Sequence, residues 1–380
     1  VNATARRRDI WADGMRRAVA TLGTVAPPGQ PRWPIALQAT VVMTVPLLIG
    51  AATDNFQAGL LACVGAFTVP YFAALPRLER LRLRPLAGLV LVTSSVLGAL
   101  LGPYPLAAGL GLIAVASAVG AAVHGYRLGP PGPLFPVIVY GMSAHATAEG
   151  ANAVHLVGWV AAGCAFAVVA SIVPLVRRVH WQVTPRPLKV LLAPPEWDRG
   201  ARDLAIRTAI TATVCTGVSL LYTDPERAYW TVAAGVVVVG IIPGRGIAVH
   251  RGLHRTVGTV VGALIYMGVG ALPPNPWVLA LILGALQFIT ELTITRHYAI
   301  AVAAVTPLAL IIVTTSVGDF GTPAVVGERI LDTLVGSGVA VLTALIHPPG
   351  PAGRPSVNPP PLPDDAVAGS SSSDASSSDT

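Results

Sequence analysis

The chain has 380 residues, of which 53% are hydrophobic and only 11% charged. A soluble domain carries roughly 25% charged residues, so this composition excludes an ordinary water-facing globule. The formal net charge of +7 raises nucleic acid as a partner, but the arginines sit in short runs between apolar stretches rather than on one face, which fits membrane orientation instead.

Residues 1–33 hold Arg6, Arg7, Arg8, Arg16, Arg17 and Arg32 without an apolar stretch and cleavage site. They are expected to form a basic cytoplasmic arm and not a secretory signal. Within the arm, Ile10 to Leu22 could form a short amphipathic helix on the inner membrane face. Apolar runs follow near 35–52, 57–75, 85–102, 105–123, 132–146 and 154–176, the first membrane half (34–176). A basic, Pro-containing connector occupies 177–202, with an interfacial piece expected at Leu188 to Leu192. The second half (203–347) has runs near 203–222, 229–243, 256–272, 276–292, 298–317 and 330–347. Most have the length a helix needs to cross the hydrocarbon core at about 1.5 Å per residue. Those near 132–146 and 229–243 are short and read as tilted, broken or partial spans. The Pro- and Ser-rich stretch 348–380 has nothing with which to build a core and is expected to be disordered.

Charge placement orients this reading. If all twelve runs span and the N-terminus is cytoplasmic, only Arg227 and Arg329 of the 25 Lys and Arg residues fall outside, with Asp54, Glu149, Asp224 and Asp319. That asymmetry is what the positive-inside rule predicts. The expected fold class is an all-α polytopic membrane protein with about twelve transmembrane helices. They form two parallel six-helix repeats with both termini cytoplasmic, in the plasma (inner) membrane. The halves align weakly at an offset of about 170, pairing Gly65 with Gly235, Gly88 with Gly258 and Pro136 with Pro307. Cys63, Cys164 and Cys215 each lie in an apolar run without CxxC spacing, which reads as packing. No GxSxG, Walker or HExxH pattern occurs, so neither an enzyme nor a cofactor or metal is expected.

Polar residues at membrane depth are costly, about 2.5–3.5 kcal/mol each on insertion scales, and so mark candidate sites. Arg251, Arg255, Gly258, Thr259 and Gly262 share one helix face, with the arginines placed to attract an anion at the cytoplasmic mouth. Anchoring charges beside a glycine packing stripe are the plainer alternative. Glu291 could pair with Arg296 or exchange a proton. Thr306-Pro307 sits mid-span, and with Pro136 suggests matching interrupted helices. Asp332 could pair with Arg329 three residues earlier, as a site or as a cap. Trp230 could stack on a ring. The first half shows no comparable set, so the second is expected to supply most of a substrate path through Trp230, Arg255, Thr259, Glu291, Thr306 and Asp332.

Together, Tyr229-Trp230, the run Arg255, Gly258-Thr259 and Gly262, Thr306-Pro307, and the run Arg329, Asp332-Thr333 and Gly336 resemble the membrane transporter domain of the fusaric acid resistance and aromatic acid exporter family over about 203–347. The resemblance implies efflux of small aromatic or other organic acids, driven by the proton gradient. The implied partners are a small organic anion and the lipid bilayer, with a homo-oligomer left open and no nucleic acid. Related plant proteins behave as anion channels, so a passive channel is the alternative, and a non-transporting envelope scaffold a third. Many members carry sizeable cytoplasmic domains after each six-helix block; here the connector is short.

Overall fold

The computed structural model describes residues 16, 19–27, 31–173, 185–195 and 197–346. Most of the expected amphipathic stretch at Ile10 to Leu22, much of the connector and the tail at 348–380 lie outside the described residues. Among those residues all regular structure is helical. The helices are α1 (Trp33–Ala52), α2 (Phe56–Cys63, continued by a 3-10 segment Val64–Thr68), α3 (Arg77–Leu101), α4 (Pro105–Gly125), α5 (Leu134–Ala148) and α6 (Ala153–Ala170), then α7 (Arg199–Tyr222), α8 (Ala228–Val239), α9 (Arg245–Gly270), α10 (Pro276–Thr293), α11 (Tyr298–Val317) and α12 (Pro323–Thr343). In the connector a single helical turn spans Leu188–Leu191, within the stretch Leu188 to Leu192.

The sequence starts these helices with local devices. Proline occupies the first turn of α1, α4, α10 and α12, where its missing N–H has no partner to lose. Asn55, Asn152 and Asn275 cap α2, α6 and α10, each side-chain oxygen accepting a first-turn N–H. Asp198 does the same for α7, accepting from Ala201 N–H at 2.7 Å while pairing with Arg127 at 2.7 Å.

Among the described residues, seven helices, α1, α3, α4, α6, α7, α10 and α11, are long and apolar enough to cross a membrane. Helices α2 (with its 3-10 continuation) and α5 are apolar but shorter. Outward faces are strongly apolar, as at Leu106, Leu110 and Leu264. Polar side chains point inward instead: Arg84, Arg207, Arg255, Arg329 and Asp332 are all buried. That inversion, with lipid-compatible faces outside and hydrogen-bonding groups inside, marks a multi-pass membrane protein.

Within the compact unit Val1–Pro348, the two halves interlock. Helix α1 packs on α10, and α4 packs on α7. Inside the first half α3 packs on α5 and α6, and α1 on α2; inside the second, α9 packs on α11 and α12, and α7 on α8. Helices α5 and α8 meet between the halves.

The two prolines expected to interrupt matching helices do different things. Pro307 lies inside the continuous helix α11, whereas Pro136 lies in the first turn of α5. A first-turn proline leaves no intrahelical bond unmade, so Pro136 starts a helix rather than breaking one. The chain before it, 127–133, is irregular where the second half is already helical at Tyr298.

Candidate functional site

A cavity of about 100 Å³ opens between the halves, near the start of α5 and the end of α8. Helix α8 stops at Gly240, whose φ of 72° suits glycine. A side chain there would run into the Arg251 guanidinium, which lies against Gly240. Arg251 Nη1 donates to the Val237 carbonyl at 3.2 Å, and its guanidinium carbon stands 5.7 Å from the Tyr298 ring centroid. One turn deeper on α9, about 15 Å from the helix start at 1.5 Å per residue, Arg255 also lines the cavity. It is 2% exposed, and its Nε has no hydrogen-bond partner.

Glu291 lines the opposite wall, but its partner is not Arg296. Arg32, from the segment before α1, reaches it at 3.2 Å through Nη2 and donates through Nε to the Glu291 carbonyl at 3.0 Å. Gln287 Nε2 donates to the second carboxylate oxygen at 3.4 Å. Arg296 lies in the turn after α10, where its backbone carbonyl accepts the Ala26 N–H at 3.0 Å. The reason is packing: α1 lies along α10 and delivers Arg32 to the Glu291 turn. With Glu291 matched by Arg32, Arg251 and Arg255 have no carboxylate partner among the described residues. The uncapped start of α5, at Leu134 and Phe135, adds the positive end of a helix dipole. The remaining wall is apolar, with Pro131 and Pro133 among its residues. Such a site suits a small anion with an apolar body.

A second polar cluster lies between α8 and α12. Thr231 Oγ1 donates to Asp332 Oδ1 at 2.9 Å, and Ser219 Oγ donates to Thr231 Oγ1 at 3.2 Å. Asp332 Oδ2 and Arg329 Nε and Nη1 are buried without a partner. The expected Arg329–Asp332 pair is therefore replaced. Arg329 lies over the Trp230 indole at 4.0 Å, a cation–π contact. Close approach of α8 and α12 at Gly235 and Gly336 brings Thr231 within reach of the carboxyl group. One face of Trp230 is thus already taken, and its ring also packs on Tyr229 at 4.9 Å.

Of the six residues expected to form a path, the cavity brings together Arg255 and Glu291. Trp230 and Asp332 belong to the α8–α12 cluster. Thr259 and Thr306 are buried at the α9–α11 contact with their hydroxyls unpartnered. The glycine stripe beside Thr259 is not a lumen. A Cβ at Gly262 would stand 2.8 Å from the Ala303 carbonyl and 3.0 Å from Pro307 Cδ, so this face is filled by α11.

The sequence reading underrated two features. Arg32 sits far from Glu291 in sequence and carried no local signal of the contact. Arg80 and Arg84 in α3 stand at the same spacing as Arg251 and Arg255 in α9, each shifted by the 171 residues that separate Pro136 from Pro307. Arg84 is 1% exposed and donates to the Val69 carbonyl and to Ser171 Oγ. The first half thus carries a buried arginine too, held through its two terminal nitrogens by its own fold while its Nε, like that of Arg255, has no partner. The shared offset was the available signal.

The fold and this interior define a multi-pass membrane protein. Its second half is similar to the family described as fusaric acid resistance protein-like, whose family model matches residues 212–343. The uncharacterized membrane protein YvaC of Bacillus subtilis (strain 168) is 31% identical over 121 residues, which cover 32% of this chain and 19% of that relative. The match thus spans about a fifth of the relative's length. No solved structure matches the chain.

Proposed function

We propose that the protein is a secondary transporter of the plasma (inner) membrane that exports small organic acids, aromatic ones among them, using the proton gradient. The observation that carries this reading is the cavity between the halves. Arg251 and Arg255, which have no carboxylate partner among the described residues, would hold the substrate carboxylate, and the wall at Pro131, Phe135 and Tyr298 would hold its ring. A cavity of about 100 Å³ is on the scale that accepts a single ring. The fusaric acid resistance protein-like match supports a transport role for the second half.

In this reading the chain crosses the membrane twelve times, with both termini cytoplasmic, α5 and α8 being short helices completed by the irregular chain at 127–133 and after Val239. The Arg and Lys residues outside would be Arg227 and Arg329 alone, which supports that orientation. The halves would be parallel repeats: the pairing of α3 with α5 and α6 recurs as α9 with α11 and α12, and α1 on α10 recurs as α7 on α4. The cavity would then face the cytoplasm and load substrate for export.

Growth tests this directly. Cells carrying the protein should tolerate a panel of aromatic acids better than cells lacking it. Arg251→Ala combined with Arg255→Ala should abolish that tolerance without loss of membrane insertion. Equal tolerance of every acid by both strains would overturn the reading.

A further inference from the structure

Two cavities flank the contact between α5 and α8. One is the arginine-lined cavity. The other, about 280 Å³, lies at the far ends of the same two helices, where Tyr140, Ala144 and His145 of α5 face Glu226 and Tyr229. Helix α5 has 15 residues and α8 has 12, so they are about 22 Å and 18 Å long, short of a hydrocarbon core of about 30 Å. Along α5 the lining changes from the first cavity at Phe135 to the second at Tyr140, about 7.5 Å of helix. Along α8 it changes between Tyr229 and Val236, about 10 Å. The wall between the cavities is therefore about a third of the membrane core.

The wall is closed on the side of the second cavity, where Gly141 and Tyr229 both belong to that cavity's lining. Gly141 of α5 meets Tyr229 of α8, and a Cβ at Gly141 would run into the Tyr229 ring. Tyr229 is 3% exposed and is backed by Trp230. At the outer mouth of the second cavity, His145 Nδ1 and Glu226 Oε2 approach to 3.3 Å and join α5 to the segment before α8. Arg227 in that segment pairs with Glu328 of α12. The seam thus runs from a cationic cavity, across one aromatic side chain, to a cavity with mixed polarity.

We infer that substrate crosses the molecule along this seam between the two halves, and that Tyr229 seated on Gly141 is the barrier separating the cavities. This rests on the transport reading above, and it moves the path out of the second half alone. The glycine face of α9 is packed shut, whereas the α5–α8 contact has open volume at both ends.

The test uses the full chain with its three buried cysteines, Cys63, Cys164 and Cys215, replaced by alanine. Single cysteines are placed at Val237→Cys in the first cavity and Ala144→Cys in the second. A membrane-impermeant thiol reagent is applied to intact cells and to everted vesicles. Val237→Cys should react from the cytoplasmic side only and Ala144→Cys from the outside only. Adding Tyr229→Ala should let each react from both sides. It should also speed the leak of preloaded benzenesulfonate, an aromatic anion with no neutral form at this pH, at least tenfold without any proton gradient. Tyr229→Leu is the second variant if alanine fails to insert, and Tyr229→Phe should keep the barrier closed. Unchanged sidedness in the inserted Tyr229→Ala or Tyr229→Leu protein overturns the barrier assignment whatever the flux. Wild-type vesicles that export no organic anion overturn the transport reading, while labelling of the Tyr229 variants from both sides would still support the seam.

Discussion

Thr231→Val is the sharpest probe of the buried cluster between α8 and α12. The substitution keeps the side-chain shape and removes one oxygen. That oxygen donates to Asp332 at 2.9 Å and accepts from Ser219 at 3.2 Å, and it is fully enclosed, Thr231 being 1% exposed. Asp332 Oδ2 already has no partner, so the variant leaves the whole carboxyl group unsatisfied. Stranding a buried polar group costs about 1–3 kcal/mol, and the same change beside Asp332→Ala should cost about 1 kcal/mol less because no carboxyl group remains to strand. Equilibrium unfolding in mixed micelles, with a denaturing detergent as titrant, measures both. Equal losses with and without the Asp332 side chain, or no loss at all, would refute the hydrogen-bond chain as a stabilising unit.

Four further outcomes follow from other positions. Gly262→Val should destabilise by about 1–3 kcal/mol in the same unfolding assay because it overpacks α9 against the Ala303–Pro307 notch. Gly338→Ala, where nothing lies within 4 Å, should instead stabilise by about 0.5–1 kcal/mol. Arg32→Ala removes the ion pair of a carboxylate that is only 4% exposed, so it should lower stability, and Glu291→Gln in that background should recover part of the loss. At the start of α7 the Ala201 N–H, with help from Arg127, holds the Asp198 carboxyl below the usual carboxylate range. A depressed value in the folded state means stabilisation present above the unfolded value of about 3.9 and lost as pH falls through the folded value. Amide exchange at Gly200 to Asp203 should therefore speed up below about pH 4 relative to the rest of α7, and the Asp198→Ala variant should lose that pH dependence.

Much of the helix layout was legible in the sequence because lipid imposes it. A helix needs a long apolar run to cross, and the runs at 105–123 and 276–292 map closely onto α4 and α10, down to the prolines that start them. The partners of buried charges were not legible. Local spacing proposed Arg296 for Glu291 and Arg329 for Asp332, since a single sequence shows charge partners only where they lie close along the chain. The fold chose Arg32 and Thr231, brought in by α1 on α10 and by α8 on α12. The glycine stripe of α9 shows a different limit: a face of small residues reads alike whether a lumen or another helix covers it, and here α11 does. The site between the halves was half visible, through Arg255 and Glu291, because its other wall comes from residues 130–135 of a segment with no polar side chain to draw notice.

The central claim is that the cationic cavity loads an organic anion for proton-driven export. Everted vesicles energised to an acidic interior test it most directly with labelled benzoate. Passive partition of a weak acid lowers its total concentration in an acidic lumen, so with the membrane potential clamped at zero by valinomycin and potassium, accumulation there requires proton-coupled transport rather than a channel. The account predicts accumulation that collapses with an uncoupler and is absent in the Arg251→Ala, Arg255→Ala double variant. Accumulation that persists after the proton gradient is dissipated, or its absence across the whole panel of acids with the protein inserted, would contradict it.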